Sequence, residues 1–77
     1  MSVHFPVVTS KEIIKVLEKI GFVFVRQTGS SHAIYRRPSD NRRTVVPVHS
    51  STQIKRRTLK SILTDAGLTV EDLRKLL

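Results

Sequence analysis

Two turn signals stand close together in the middle of this chain. Gly29-Ser30-Ser31 and Pro38-Ser39-Asp40-Asn41 divide residues 22–48 into three short runs, Phe22 to Thr28, His32 to Arg37 and Arg43 to Val48. Each run is rich in β-branched or aromatic side chains, which suit a pleated surface. Both connections carry residues with good turn chemistry. Two hairpins in series predict an antiparallel three-stranded sheet. Pro47 has no N–H, so it belongs at the end of its strand or on a sheet edge.

The flanks read as helices. Thr9 and Glu12 stand three apart ahead of Ile13, Ile14, Leu17 and Ile20. That spacing is a capping box followed by an apolar helical stripe. Gly21 suits the left-handed position that closes a helix, which predicts a first helix over about residues 10–20. On the far side of the sheet, Thr58 is placed to cap a helix carrying Leu59, Ile62 and Leu63, closed by Asp65-Ala66-Gly67. Thr69, with Asp72 three residues on, opens a last short helix. Residues 1–8 read as an arm interrupted by Pro6, and residues 9–77 as one domain. The class is α+β, in the order αβββα with a helical extension. Both helices must cover one sheet face, because neither layer can bury its apolar side alone. In the second strand, alternation puts His32, Ile34 and Arg36 on one side and Ala33, Tyr35 and Arg37 on the other.

Charge divides the 77 residues unevenly. The net charge is +8, from 14 Lys and Arg against 6 Asp and Glu. Residues 1–25 and 61–77 are nearly balanced, whereas residues 26–60 hold nine basic side chains and a single acid, Asp40. Such concentration points to a polyanion. The clusters are Arg36-Arg37, Arg42-Arg43 and Lys55-Arg56-Arg57, flanked by Arg26 and Lys60, and contact with phosphates is the reading preferred over a merely solvated basic surface. An adaptor for a membrane or an acidic protein would more naturally carry its charge on an amphipathic helix. No cysteine is present, so disulfides and thiolate metal sites are excluded. The apolar runs are far shorter than the roughly 20 residues a membrane helix needs, and the N-terminus lacks the pattern of a signal peptide. A cytoplasmic protein with no cofactor is expected.

Three histidines are candidates for chemistry: His4, His32 and His49. Their spacing does not suit zinc, and the surrounding cations would repel it. His4 falls in the arm and receives no role. His32 follows Gly29-Ser30-Ser31, a turn able to direct successive N–H groups at a phosphate oxygen. A histidine there can move a proton on a bound phosphodiester; the alternative is an exposed or capping histidine at a strand start. A nucleophilic Ser30 or Ser31 lacks an orienting carboxylate nearby. Tyr35 is either a stacking platform for a base or a core or rim residue. A basic RNA-binding module without catalysis is the alternative function.

The order of these features resembles the HicA family of small bacterial and archaeal toxins. The likeness runs from about Pro6 to Leu77. It includes Lys11 through Phe22, Arg26-Gln27-x-Gly29-Ser30 with His32, Ile34-Tyr35-Arg36-x-Pro38, Thr44-Val45-Val46-Pro47-x-His49, and Thr58-Leu59-Lys60-Ser61-Ile62-Leu63 with Ala66-Gly67-Leu68. Three positions depart from the common pattern: an extra serine in the Gly29–His32 turn, Arg37 before the proline, and Arg57 before Thr58-Leu59. The resemblance implies a fold like that of double-stranded-RNA-binding domains. It also implies ribosome-independent cleavage of mRNA, with His32 as the catalytic residue; His32 would then accept the proton of the RNA 2′-OH, with His49 and Tyr35 as candidates for the leaving-group acid. The implied partner is a HicB-type antitoxin covering the site; the small size and high charge, for their part, suggest a monomer when free. The expected RNA-binding set is Arg26, Gly29, Ser30, Ser31, Arg36, Arg37, Arg42, Arg43, Lys55, Arg56, Arg57 and Lys60.

Overall fold

In the computed structural model, residues 5–29, 31–48 and 53–77 are described. The elements follow in the order α1 (Ser10–Lys19), β1 (Val23–Thr28), β2 (His32–Arg37), β3 (Arg42–Pro47), α2 (Arg56–Ala66) and α3 (Val70–Leu76). The strands form one antiparallel sheet in the order β1-β2-β3, giving the αβββα architecture of a double-stranded-RNA-binding-like fold followed by a short helix.

Local chemistry sets the helix ends. The Glu12 N–H donates to Thr9 Oγ1 (3.2 Å), and the Thr9 N–H donates to Glu12 Oε1 (2.9 Å), which is the reciprocal bonding of a capping box. Thr69 and Asp72 repeat the arrangement at α3. The second helix differs from expectation. It begins at Arg56, two residues before the anticipated cap at Thr58, and its N-cap Lys55 makes no side-chain bond. Thr58 is therefore inside the helix. Gly67 ends α2 with φ 73°. A β-carbon there would also meet the Arg42 guanidinium carbon at 3.2 Å, so both backbone and space favour glycine.

One face of the sheet meets the helices. Ala33, Tyr35 and Val46 from the strands pack with Ile13, Val16 and Leu17 of α1, Leu59, Ile62, Leu63 and Ala66 of α2, and Leu73 of α3. Phe22, expected in the first strand, precedes it and is buried in this core. Val8, at the end of the segment read as an arm, is buried as well, and its carbonyl accepts from the Ile54 N–H at 2.8 Å. Burying large aliphatic side chains of this kind contributes on the order of 1.5–3 kcal/mol each before entropy is counted.

The helices have a common direction. The Ser10 hydroxyl of α1 donates to the Pro47 carbonyl at the end of β3. Near the other end of α2, Asp65 Oδ2 accepts from Thr44 Oγ1 (3.0 Å), and the Asp65 carbonyl accepts from Arg42 Nη1 (3.1 Å). Both helices thus run antiparallel to β3. Their N-termini lie at the end of the sheet where His32 pairs with Pro47, and their C-termini lie at the end where Arg37 pairs with Arg42.

Candidate functional site

The strand register assigns each side chain to a face, because directly paired residues project to the same side. His32 lies between Thr28 and Pro47. The next row on that side is Arg26, Ile34 and Val45, and the row after it is Val23, Arg36 and Arg43. This is the face away from the helices. It presents one histidine, three arginines and no carboxylate. Ile34 is buried yet stands apart from the core cluster, so the side chains around it on this outer face cover it. Sequence patterning alone did not mark Thr28 and Pro47 as the neighbours of His32; only the pairing register reveals them.

A bulge creates part of this surface. The β1–β2 register shifts between Phe24 and Arg26, leaving Val25 as the extra residue. Strict alternation would put Phe24 and Arg26 on one face. With the bulge, Phe24 turns toward Tyr35 on the helix side, ring centroids 5.8 Å apart and edge to face, while Arg26 joins the outer face opposite Ile34.

The pleat also splits each arginine doublet. Arg36 and Arg43 face outward as a cross-strand pair, with Arg36 Nη1 donating to Asn41 Oδ1 at 3.0 Å. Arg37 and Arg42, grouped with them in the sequence reading, lie on the helix side. Arg37 Nε and Nη2 donate to Asp40 Oδ1 (3.0 Å) and Oδ2 (2.8 Å). Its Nη1 donates to the Ile20 carbonyl at 3.3 Å, with a longer 3.5 Å contact from Nη2 to the Ala66 carbonyl. The guanidinium carbon sits 4.9 Å from the centre of the Phe22 ring. Arg42 is held by Asp40 (3.3 Å) and by the Asp65 carbonyl. The Arg37 hydrogen bond is the main reason the Asp40 carboxyl is lowered from 3.8 to about 2. The same bond raises Arg37 above its ordinary value. Both arginines, expected to contact phosphates, are thus also tied into the fold.

Of the two readings of Tyr35, the core one holds. It is buried on the helix side, and burial, with Glu18 adding to it, raises its phenol above 10.0. It can neither stack on a base nor serve as an accessible acid. Ser31 is half-buried, and its carbonyl accepts from the Val48 N–H at 2.6 Å, extending the β2–β3 ladder next to His32. Gly29 is exposed, with φ 60° and open space where a side chain would go. Ser30, His4 and His49 lie outside the described residues. His32 itself is exposed and makes no side-chain hydrogen bond among the described residues.

The third basic cluster lies at the same end as His32, around the edge of β3. Lys55, Arg56, Arg57 and Lys60 are exposed at the start of α2, whose first turn holds no acid. Arg56 is stacked on Phe5, its guanidinium carbon 5.0 Å from the ring centre. Phe5 and Arg56, with Arg57 and Lys60, line a shallow surface pocket of about 440 Å³. No group of three or more potential metal-ligating side chains occurs among the described residues.

A family model described as "HicA toxin of bacterial toxin-antitoxin" matches residues 10–68. The chain belongs to the HicA toxin family. The match spans α1, the whole sheet and α2, so it includes both the outer face and the arginines that tie the helices down. A search of curated proteins found no match. Membership in the HicA family makes the chain a toxin of a toxin–antitoxin pair, and an antitoxin is its implied partner. No helix among the described residues is long and apolar enough to cross a membrane.

Proposed function

We propose that this HicA-family toxin is a ribosome-independent endoribonuclease acting on mRNA in the cytoplasm, with His32 as its catalytic base, and that a HicB-type antitoxin neutralises it. The observation that carries this reading is the position of His32. It is exposed on an outer sheet face that also bears Arg26, Arg36 and Arg43 and no carboxylate. A polyanion drawn to that face meets the histidine without a competing negative charge.

RNA supplies its own nucleophile. His32 accepts the 2′-OH proton as that oxygen bonds to the adjacent phosphorus, and the bond from phosphorus to O5′ breaks. General-base help of this kind is worth about 10²–10⁴-fold. Arg26, Arg36 and Arg43 attract the phosphates and offset charge building on the phosphoryl oxygens, with Gly29 and Ser31 close to the base in the chain. Lys55, Arg56, Arg57 and Lys60 extend the contact around the β3 edge toward flanking phosphates. Their position at the uncapped start of α2 adds the positive end of a helix dipole. With Tyr35 buried, His49 is the remaining candidate for the leaving-group acid.

The test is a defined RNA incubated with wild-type toxin and with His32→Ala. Cleavage should fall by at least about 10²-fold, while circular dichroism and RNA affinity stay near wild type. DNA of the same sequence should bind and remain intact. Undiminished cleavage by His32→Ala would remove the histidine from the mechanism, and RNA binding without cleavage by the wild type would favour a non-catalytic module.

A further inference from the structure

Neither the outer face nor the α2 cluster accounts for a run of exposed apolar residues at the edge of the sheet. Val23, Phe24 and Val25 are consecutive, and 48%, 56% and 44% of their surfaces are exposed. They lie on β1, which pairs with β2 on one side only. Along Val23–Arg26 the other side carries no strand among the described residues. An exposed apolar edge is a template for pairing with another chain, and proteins ordinarily blunt such edges. The bulge at Val25 is the one register shift among the described strand pairs, and it brings Arg26 opposite Ile34.

We propose that the Val23–Arg26 edge of β1 is the docking edge for the antitoxin, which adds an extended strand there. This rests on the toxin–antitoxin reading of the chain and goes beyond it by assigning the surface. Main-chain hydrogen bonds along β1 supply affinity in this mode of recognition, and alternate side chains supply specificity. The added strand would set apolar side chains against Phe24 and Val25 and carboxylates beside Arg26.

Charge decides among occupants. A second copy of this chain would bring a second +8 molecule edge to edge, placing like charge on like at Arg26. RNA has no use for three consecutive apolar side chains. An antitoxin strand bearing acidic residues satisfies both the apolar edge and the arginine. The direction of β1 also fits neutralisation. It ends at Thr28, paired with His32, so a strand added to β1 lies two strand spacings, about 10 Å, from the β2 strand that carries the histidine. The partner's continuing chain can then cross the outer face and cover it.

The experiment uses full-length toxin and the protein encoded by the adjoining reading frame. Hydrogen exchange should slow at the amides of residues 23–26 when the partner is added. Val25→Asp, a change on an exposed bulge residue, should weaken the complex by about tenfold or more and leave cleavage by the free toxin at the wild-type rate. The milder Val25→Thr controls for folding and should bind within about twofold of wild type. Unchanged exchange at residues 23–26 in the complex, or equal affinity for Val25→Asp, would overturn the proposal. So would protection of the same amides in concentrated toxin alone, which would assign the edge to self-association. Because RNA cleavage is read separately on the free protein, failure of the catalytic reading and failure of the docking edge give different results.

Discussion

Arg36 and Arg37 are neighbours in sequence, as are Arg42 and Arg43, yet each pair is divided between two tasks. Arg36 and Arg43 stand on the open face among His32, Arg26 and no acid. Arg37 and Arg42 turn to the helix side and are fastened by Asp40 and by main-chain carbonyls near the C-terminal ends of α1 and α2. A helix C-terminus leaves carbonyls unpaired and carries partial negative charge. A guanidinium placed there satisfies both. The comparison teaches that a count of basic residues overstates the freely presented charge: the same residue type is an outward-facing cation on one side of the pleat and is tied to Asp40 and main-chain carbonyls on the other.

The strongest test of that division is Arg37→Ala. It removes a bidentate contact to Asp40, a bond to the Ile20 carbonyl and the stacking on Phe22, so unfolding stability in urea should fall by about 2 kcal/mol. The salt dependence of RNA binding should stay unchanged. An unaltered urea midpoint would show that Arg37 is not such a tie. The converse variant is Arg36→Ala with Arg43→Ala. RNA affinity should drop, and the slope of log affinity against log salt should become shallower by about 2, one for each lost phosphate contact. Stability should move by less than about 0.5 kcal/mol. An unchanged salt slope would remove this pair from the RNA surface.

The smallest effect concerns acid. Asp40 is held at about 2 in the folded protein, against an ordinary value of 3.8. A carboxyl lowered by folding stabilises the native state above its unfolded pKa, and that stabilisation is lost as pH falls through the folded one. Its contribution should therefore be complete above about pH 4 and decline between about pH 4 and pH 2. Asp40→Asn should flatten the stability profile across that window. A profile that still falls with the wild-type slope would mean that other carboxylates govern it.

Much of the fold was legible in local chemistry. The capping boxes at Thr9 and Thr69 form as their spacing predicted, because they involve residues three apart and need no tertiary partner. The bounds of β2 match the expected His32–Arg37, since a turn signal flanks the strand on each side. The start of α2 was misread. Thr58 has the chemistry of a cap, but Arg56 and Arg57 continue the helix toward the bridge between Thr9 and Gln53 and the Val8–Ile54 bond, where the main chain is anchored. That anchor joins residues far apart in sequence, and no local pattern announces it. Among the site residues, His32 and the outward arginines of β2 and β3 follow from alternation. Tyr35 and Arg37 follow equally from alternation once the covered face is known, and that choice depends on where the helices pack.

The sequence by itself determined the kind and order of the elements, the excess of positive charge between residues 26 and 60, and the placement of a histidine directly after a Gly-Ser turn. These depend on short-range preferences and on counting. Only the tertiary structure decided which cations face outward, through the side of the sheet the helices cover and through one extra residue in β1. A strand has a period of two, so a single bulge exchanges the faces of everything beyond it. The free apolar edge of β1 belongs to the same class of fact. It comes from which strand stands last in the sheet, and strand order is set by pairing between segments rather than within any of them.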